Sequence, residues 1–268
     1  MHILHDNYTV GENGHLYVGG CDTVALAEKY GTPLYVVDEG KLRSNMQRFS
    51  ALLRECFPAG SRVLFASKAL SYVDIYRIAS SEEIGADVVS PGELYTACKA
   101  GFDTKNIYFH GNNKTDADIA YALDVGVGTF VVDNEDELLA LDRIAGARGK
   151  VQDILLEVNV SGEESKSGFT PDEAIAALQL AETFPHIAVR GLMTMAPQGN
   201  LDVARECFEG LAALRDALRS QLPSEQAARF NELSMGMSED WREAVCAGAT
   251  MVRIGRALFS DSFESVQA

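Results

Sequence analysis

Cysteine is sparse and unpatterned in this chain. The five cysteines, at 21, 56, 98, 207 and 246, are odd in number, widely spaced and form no CxxC pair. Neither a disulfide framework nor a zinc site is expected from them. No run of about 18 apolar residues occurs, which argues against a transmembrane helix. The first eight residues lack a basic stretch followed by an apolar one, so no secretory signal is expected and the cytoplasm is the default. Positive charge is also short: 23 Lys and Arg stand against 39 Asp and Glu, a formal net charge of −16. Such a chain is poorly suited to nucleic-acid phosphates or anionic membranes. A small basic pocket for one anion stays compatible with an acidic shell. No low-complexity linker interrupts the 268 residues, 47% of them hydrophobic, which suits one globular unit with a sizeable core.

What is present is alternation. Short apolar or β-branched runs at 63–68, 86–90, 107–111, 129–133, 154–160, 189–195, 232–236 and 251–255 are each followed by a segment able to form a helix. Thr170-Pro171-Asp172-Glu173 combines a threonine cap, a proline at the first helical position and acidic first-turn residues. Pro91-Gly92-Glu93, Asn134-Glu135-Asp136 and Ser238-Glu239-Asp240 repeat parts of that logic. Alternation of this kind predicts a parallel sheet with crossover helices, and eight units fit a closed (β/α)8 barrel better than an open sheet. Ahead of it, the spacing predicts a small hairpin over 8–18, a strand over 34–38 and a helix over about 40–56. Residues 1–38 are thus expected to be an appendage and 39–268 the α/β barrel.

Three stretches carry chemistry. In Phe65-Ala66-Ser67-Lys68-Ala69 a lysine interrupts an apolar run at the end of the first barrel strand. A lysine there is either a surface side chain snorkelling from a strand end or a Schiff-base nucleophile at the catalytic face of a barrel. In Leu233-Ser234-Met235-Gly236-Met237-Ser238 a strand ends in a glycine flanked by serines. This is either ordinary capping or a phosphate cradle of backbone N–H groups and hydroxyls. In Met251-Val252-Arg253-Ile254-Gly255 an arginine lies inside the last strand, where it needs an acceptor, from either a ligand or a structural salt bridge. A nucleophilic lysine on the first strand, a phosphate cradle after the seventh and an arginine on the eighth point together to pyridoxal 5′-phosphate.

Residues 8 to about 150 resemble the N-terminal half of diaminopimelate decarboxylases. The carrying segments are Gly19-Gly20-Cys21-Asp22, the stretch 26–36, Phe65-Ala66-Ser67-Lys68-Ala69, the stretch 85–94 and Phe109-His110-Gly111-Asn112-Asn113-Lys114-Thr115. Residues from about 153 to 260 resemble instead the pyridoxal-phosphate homeostasis proteins, a family of single barrels. The carriers there are Val158-Asn159-Val160, the stretch 164–168, Arg190-Gly191-Leu192-Met193-Thr194 and the two motifs at 233–238 and 251–255. Both resemblances imply a pyridoxal-phosphate barrel of the alanine-racemase-like type, and the switch between them suggests a half-barrel chimera joined near residue 150.

The resemblances imply Lys68 as the Schiff-base residue, with Asp87, Ser90, His110 and Asn112 near the cofactor. They imply Ser234, Gly236, Met237, Ser238 and Gly255 around its phosphate, Arg253 by the phosphate or the ring nitrogen, and Asn159 and Met193 lining the pocket. Core packing is an equal alternative for Met193, and a satisfied core histidine is one for His110. Diaminopimelate decarboxylases also carry a C-terminal β domain, which is not expected here. An arginine at the ring nitrogen would keep it unprotonated and weaken the electron sink. The expected function is cofactor binding of the homeostasis kind, with little specific turnover. The alternatives are an amino-acid decarboxylase or slow racemase, and a recombined barrel with an empty pocket. Expected partners are the cofactor, amino acids and a second copy paired through the N-terminal strand edge.

Overall fold

The structure, a computed structural model, describes residues 7–57, 61–163 and 166–260. The expectation about the first residues therefore falls mostly outside the described region, as do positions 164 and 165 of the quoted motif.

The appendage is a three-stranded antiparallel sheet, β1 (Tyr8–Val10), β2 (Leu16–Val18) and β3 (Cys21–Asp22), followed by α1 (Thr23–Tyr30). The hairpin expected over 8–18 is there, extended by a strand. Residues 34–38 are extended but are not a strand, which corrects the expectation: no neighbouring chain among the described residues pairs with them. Tyr35 in this stretch is 99% exposed. Asp38 ends it by accepting the Lys41 N–H and starting the helix α2 (Glu39–Cys56).

Eight parallel strands then close into a barrel: β4 (Arg62–Ala66), β5 (Gly85–Val88), β6 (Ile107–Phe109), β7 (Thr129–Val132), β8 (Gln152–Glu157), β9 (Ile187–Met193), β10 (Glu232–Ser234) and β11 (Met251–Ile254). Each pairs with the next, and β11 closes on β4 with Val252 opposite Val63 and Arg253 opposite Leu64. All eight expected strands are present. Each ends one or more residues earlier than its apolar run, because the last residues turn outward to form the C-terminal mouth.

Alternation along these strands sorts the side chains. Leu64, Tyr108, Val131, Leu155, Met193 and Met251 form a buried layer within the barrel. Their neighbours Val63, Phe65, Ile107, Phe109, Phe130, Val132, Ile154 and Leu156 belong to the larger core that includes the helices. With α2, those helices are α3 (Val73–Ser81), α4 (Pro91–Ala100), α5 (Asp116–Val125), α6 (Glu135–Gly146), α7 (Pro171–Ala181), α8 (Leu201–Gln221), α9 (Ser224–Arg229), α10 (Trp241–Cys246) and α11 (Arg256–Phe259). Met193 is fully buried and packs in the inner layer.

The caps behave largely as the sequence suggests. Thr170 and Glu173 form a reciprocal capping box, and the Ser90 and Asn134 side chains accept the Glu93 and Glu137 N–H groups. The exception is Ser238. It does not cap α10; its hydroxyl accepts the N–H groups of Gly255 and Ala257, at 3.3 and 3.2 Å. That ties the turn after β10 to the turn after β11.

Candidate functional site

The backbone leaves β4 at Ala66 and forms a 3-10 turn, Ser67–Ala69. Ser67 is buried, with its hydroxyl 2.7 Å from Glu93 Oε2 and 3.0 Å from the Asp87 carbonyl. Glu93 also accepts the Val89 N–H at 2.8 Å. The first residue of the turn is thus pinned to the neighbouring strand end, and the second, Lys68, is presented at the mouth. Sequence reasoning places Lys68 on the strand itself; it lies in the turn just beyond, and is exposed. Among the described residues no hydrogen-bond or ion-pair partner reaches its ammonium.

Lys68 opens onto a cavity of about 400 Å³ whose wall includes Lys166, Met237, Ser238, Asp240 and Gly255. The lysine and the serine–glycine rim, drawn from opposite ends of the sequence, share one opening. Gly236 makes the rim turn with φ +91, and a Cβ there would lie 2.6 Å from the Ala244 Cβ and 3.1 Å from the Trp241 Cα. Only glycine lets this turn sit against α10. The Met237 N–H donates to Asp240 Oδ1 at 2.6 Å.

Beneath the rim the strand ends carry a buried polar network. Arg253 donates to Ser234 Oγ at 2.6 Å and to the Thr194 carbonyl at 3.0 Å. Burial pulls its guanidinium below the usual range, while Asp87, Glu157 and Asp240 act to raise it. His110 Nε2 lies 3.1 Å from Glu157 Oε2, and Nδ1 lies 3.8 Å from Asp87 Oδ1. Burial raises the Glu157 carboxyl, but His110, Arg253 and Lys114 outweigh it and hold the group below the ordinary carboxylate range.

Of the residues singled out in the sequence, Lys68, Met237, Ser238 and Gly255 line the cavity. Asp87, His110, Ser234 and Arg253 are buried in the network below it. Arg253 is bound to Ser234 and Thr194, and so is held within the barrel end instead of on the cavity wall. Asn159 folds back on its own loop: its side chain accepts from Ser161 and Gly162 and donates to the carbonyls of Glu163 and Lys166. Asn112 donates to Ser167 at 2.9 Å, and Ser90 serves as a helix cap. Glu157 escapes the sequence reading, although an acid inside the apolar run of β8, between Leu156 and Val158, is a legible signal. Lys114 and Glu137 escape it as a pair. They meet at 2.7 Å with both side chains buried, and burial pushes the Glu137 carboxyl up to about 7 against the pull of Lys114.

The unsatisfied groups suit a phosphorylated carbonyl ligand. Asp87 Oδ1 is buried without a hydrogen-bond partner, and Ser238 accepts two N–H groups while its own O–H has no acceptor among the described residues. Lys68 adds a free amine. The described residues hold no group of three or more His, Cys, Asp or Glu suited to a metal ion, and no described helix is long and apolar enough to cross a membrane.

Residues 40–195 match the family described as pyridoxal-dependent decarboxylase, pyridoxal binding domain. The chain belongs to this family. Membership brings pyridoxal 5′-phosphate as the cofactor, in agreement with the free groups of the cavity. The match runs through residue 150, so one family covers both sides of the seam expected there. Diaminopimelate decarboxylase of Bacillus methanolicus is 38% identical over 235 residues, covering 80% of this chain and 54% of the relative. The chain thus spans about half the length of that relative. The fold matches diaminopimelate decarboxylase from M. jannaschii, solved with L-lysine, with a TM-score of 0.80 at 23% identity over 94% of this chain and 67% of the other. An unknown protein from Bifidobacterium adolescentis matches with a TM-score of 0.71 at 28% identity, covering 84% of this chain and 98% of that one.

Proposed function

We propose that the chain is a pyridoxal-phosphate barrel acting on an amino acid in the manner of the decarboxylases, with Lys68 holding the cofactor. The observation that carries this is the placement of the Lys68 amine and the Ser238–Gly255 rim on one cavity of about 400 Å³. The decarboxylase relatives favour this over the homeostasis reading, and the unbroken family match gives no support to a recombinant origin.

The cofactor, when bound, supplies an electron sink for the bond broken at the amino-acid Cα. The residues of the chain do the rest. Lys68 brings an uncommitted amine to the mouth. The Ser238 hydroxyl, which accepts two N–H groups and keeps its own proton, would donate it to the phosphate. His110 is held between Glu157 and Asp87 at the buried strand ends, which fixes the orientation of its ring. Asp87 Oδ1 is the acceptor left unsatisfied in that described network, and would serve a donor that reaches the barrel end from the cavity.

A second reading, cofactor binding with little turnover, rests on a specific feature. An amino-acid carboxylate needs a cation, yet Lys166 is paired to Glu163 at 2.8 Å and Arg256 to Glu239 at 2.6 Å. The experiment is to load the protein with the cofactor, then measure carbon dioxide release from meso-diaminopimelate, lysine and ornithine. Release that is lost in Lys68→Ala supports the decarboxylase reading. A visible cofactor band without release, on any of the three, supports the second.

A further inference from the structure

Asp240 lies at the end of the turn that forms the serine–glycine rim. It is among the residues lining the cavity with Lys68, Lys166 and Arg256, and its carboxylate accepts the Met237 N–H at 2.6 Å. Although it directly precedes α10, it makes no side-chain bond to that helix. Two kinds of donor form the rim here. The Ser238 hydroxyl is tied to Gly255 and Ala257 as an acceptor and keeps its own proton to give. The Met237 N–H is already filled by a negative charge.

We propose that Asp240 sets the affinity of the rim for phosphate monoesters, by filling a backbone donor that a bound phosphate would use and by repelling its charge. The inference rests on the cofactor reading above and names the residue that limits it. A phosphate dianion at this rim meets a like charge, so the cofactor is held less tightly than Lys68 and the hydroxyls alone would allow, and is more readily released. Burial raises the Asp240 carboxyl, against the Met237 N–H and Arg253, with Glu239 adding to the rise. Lower pH therefore relieves the repulsion.

Asp240→Asn separates charge from geometry, because the amide oxygen still accepts the Met237 N–H. Affinities are measured for pyridoxal phosphate, inorganic phosphate and unphosphorylated pyridoxal at about pH 8, by absorbance or calorimetry, alongside a thermal melt. The expected result is binding of both phosphate compounds about tenfold or more tighter in Asp240→Asn, with pyridoxal unchanged. Wild type should approach the variant as pH falls. Asp240→Ser, which also removes the charge, should behave alike if the asparagine variant melts early. Unchanged or weaker phosphate binding in a folded variant, or an equal change for pyridoxal, overturns the inference and leaves the cofactor reading in place. Failure of both wild type and variant to bind pyridoxal phosphate removes both.

Discussion

Replacing Glu137 by glutamine should remove a specific pH dependence from the stability of the barrel. Glu137 sits in the first turn of α6, buried, with its carboxylate 2.7 Å from the Lys114 ammonium. Lys114 in turn donates to the carbonyls of Gly111 and Val131, at 2.5 and 2.7 Å, stitching the ends of β6 and β7 to the helix. Burial moves the Glu137 carboxyl from 4.5 up to about 7, so desolvation outweighs the lysine. A carboxyl whose folded pKa is raised favours the folded state in its protonated form. Its contribution is fully present below the unfolded value and is lost as pH rises through about 7. Integrating over that shift gives a loss of about 2 kcal/mol between roughly pH 5.5 and 8.5. Urea unfolding of wild type and Glu137→Gln at several pH values in this range tests it. Below about pH 7 the wild-type carboxyl is already protonated, so the neutral amide of Glu137→Gln should match it closely there. The diagnostic is the slope: the variant should gain about 2 kcal/mol of stability relative to wild type as pH rises over this range. Parallel curves across the range would show that the lysine fully offsets burial and that the reasoning is wrong.

Glu157→Gln should be costly for a related reason, since it removes the partner of His110 and a counter-charge of Arg253. Because its pKa is depressed, its contribution is present above the ordinary carboxylate value and fades in acid, so the variant and wild type should converge in chemical denaturation as pH falls well below that value. Gly236→Ala forces a Cβ within 2.6 Å of Ala244 at a positive φ; a loss of roughly 1–3 kcal/mol in unfolding is expected, with weakened phosphate binding by calorimetry. The appendage presents an exposed strand at Val10 and an apolar segment at 34–37 that pairs with no strand among the described residues, so self-association through a strand edge is expected. Light scattering should report a dimer that Val10→Lys or Tyr35→Asp weakens; a monomer at high concentration argues against it.

The barrel is legible because parallel strands buried on both faces read as apolar runs between capped helices, and Thr170, Ser90 and Asn134 mark the helix starts in sequence. The strand ends are less legible. Lys68 and Ser238 sit in turns whose shape depends on Ser67 meeting Glu93 and on Ser238 meeting Gly255, and such long-range contacts leave no periodic trace. The segment 34–38 has the composition of a strand, but a strand needs a neighbour, and composition does not report one. Asn159 looks like a pocket residue, yet an amide in a loop can satisfy itself locally. Glu157 stands out as a charge within an apolar run, though its pairing to His110 crosses strands and needs the fold; Lys114, set among Asn112, Asn113 and Thr115, gives no such signal of its pairing to Glu137.

The most direct measurement is the site of covalent attachment. The protein is incubated with pyridoxal phosphate, reduced with borohydride, digested and mapped by mass spectrometry. The expected result is a pyridoxyl group on Lys68, absent when Lys68 is changed to alanine and reduced when the rim is broken by Gly236→Ala. Labelling spread over surface lysines, or unchanged in Lys68→Ala, would contradict the shared cavity as the cofactor site.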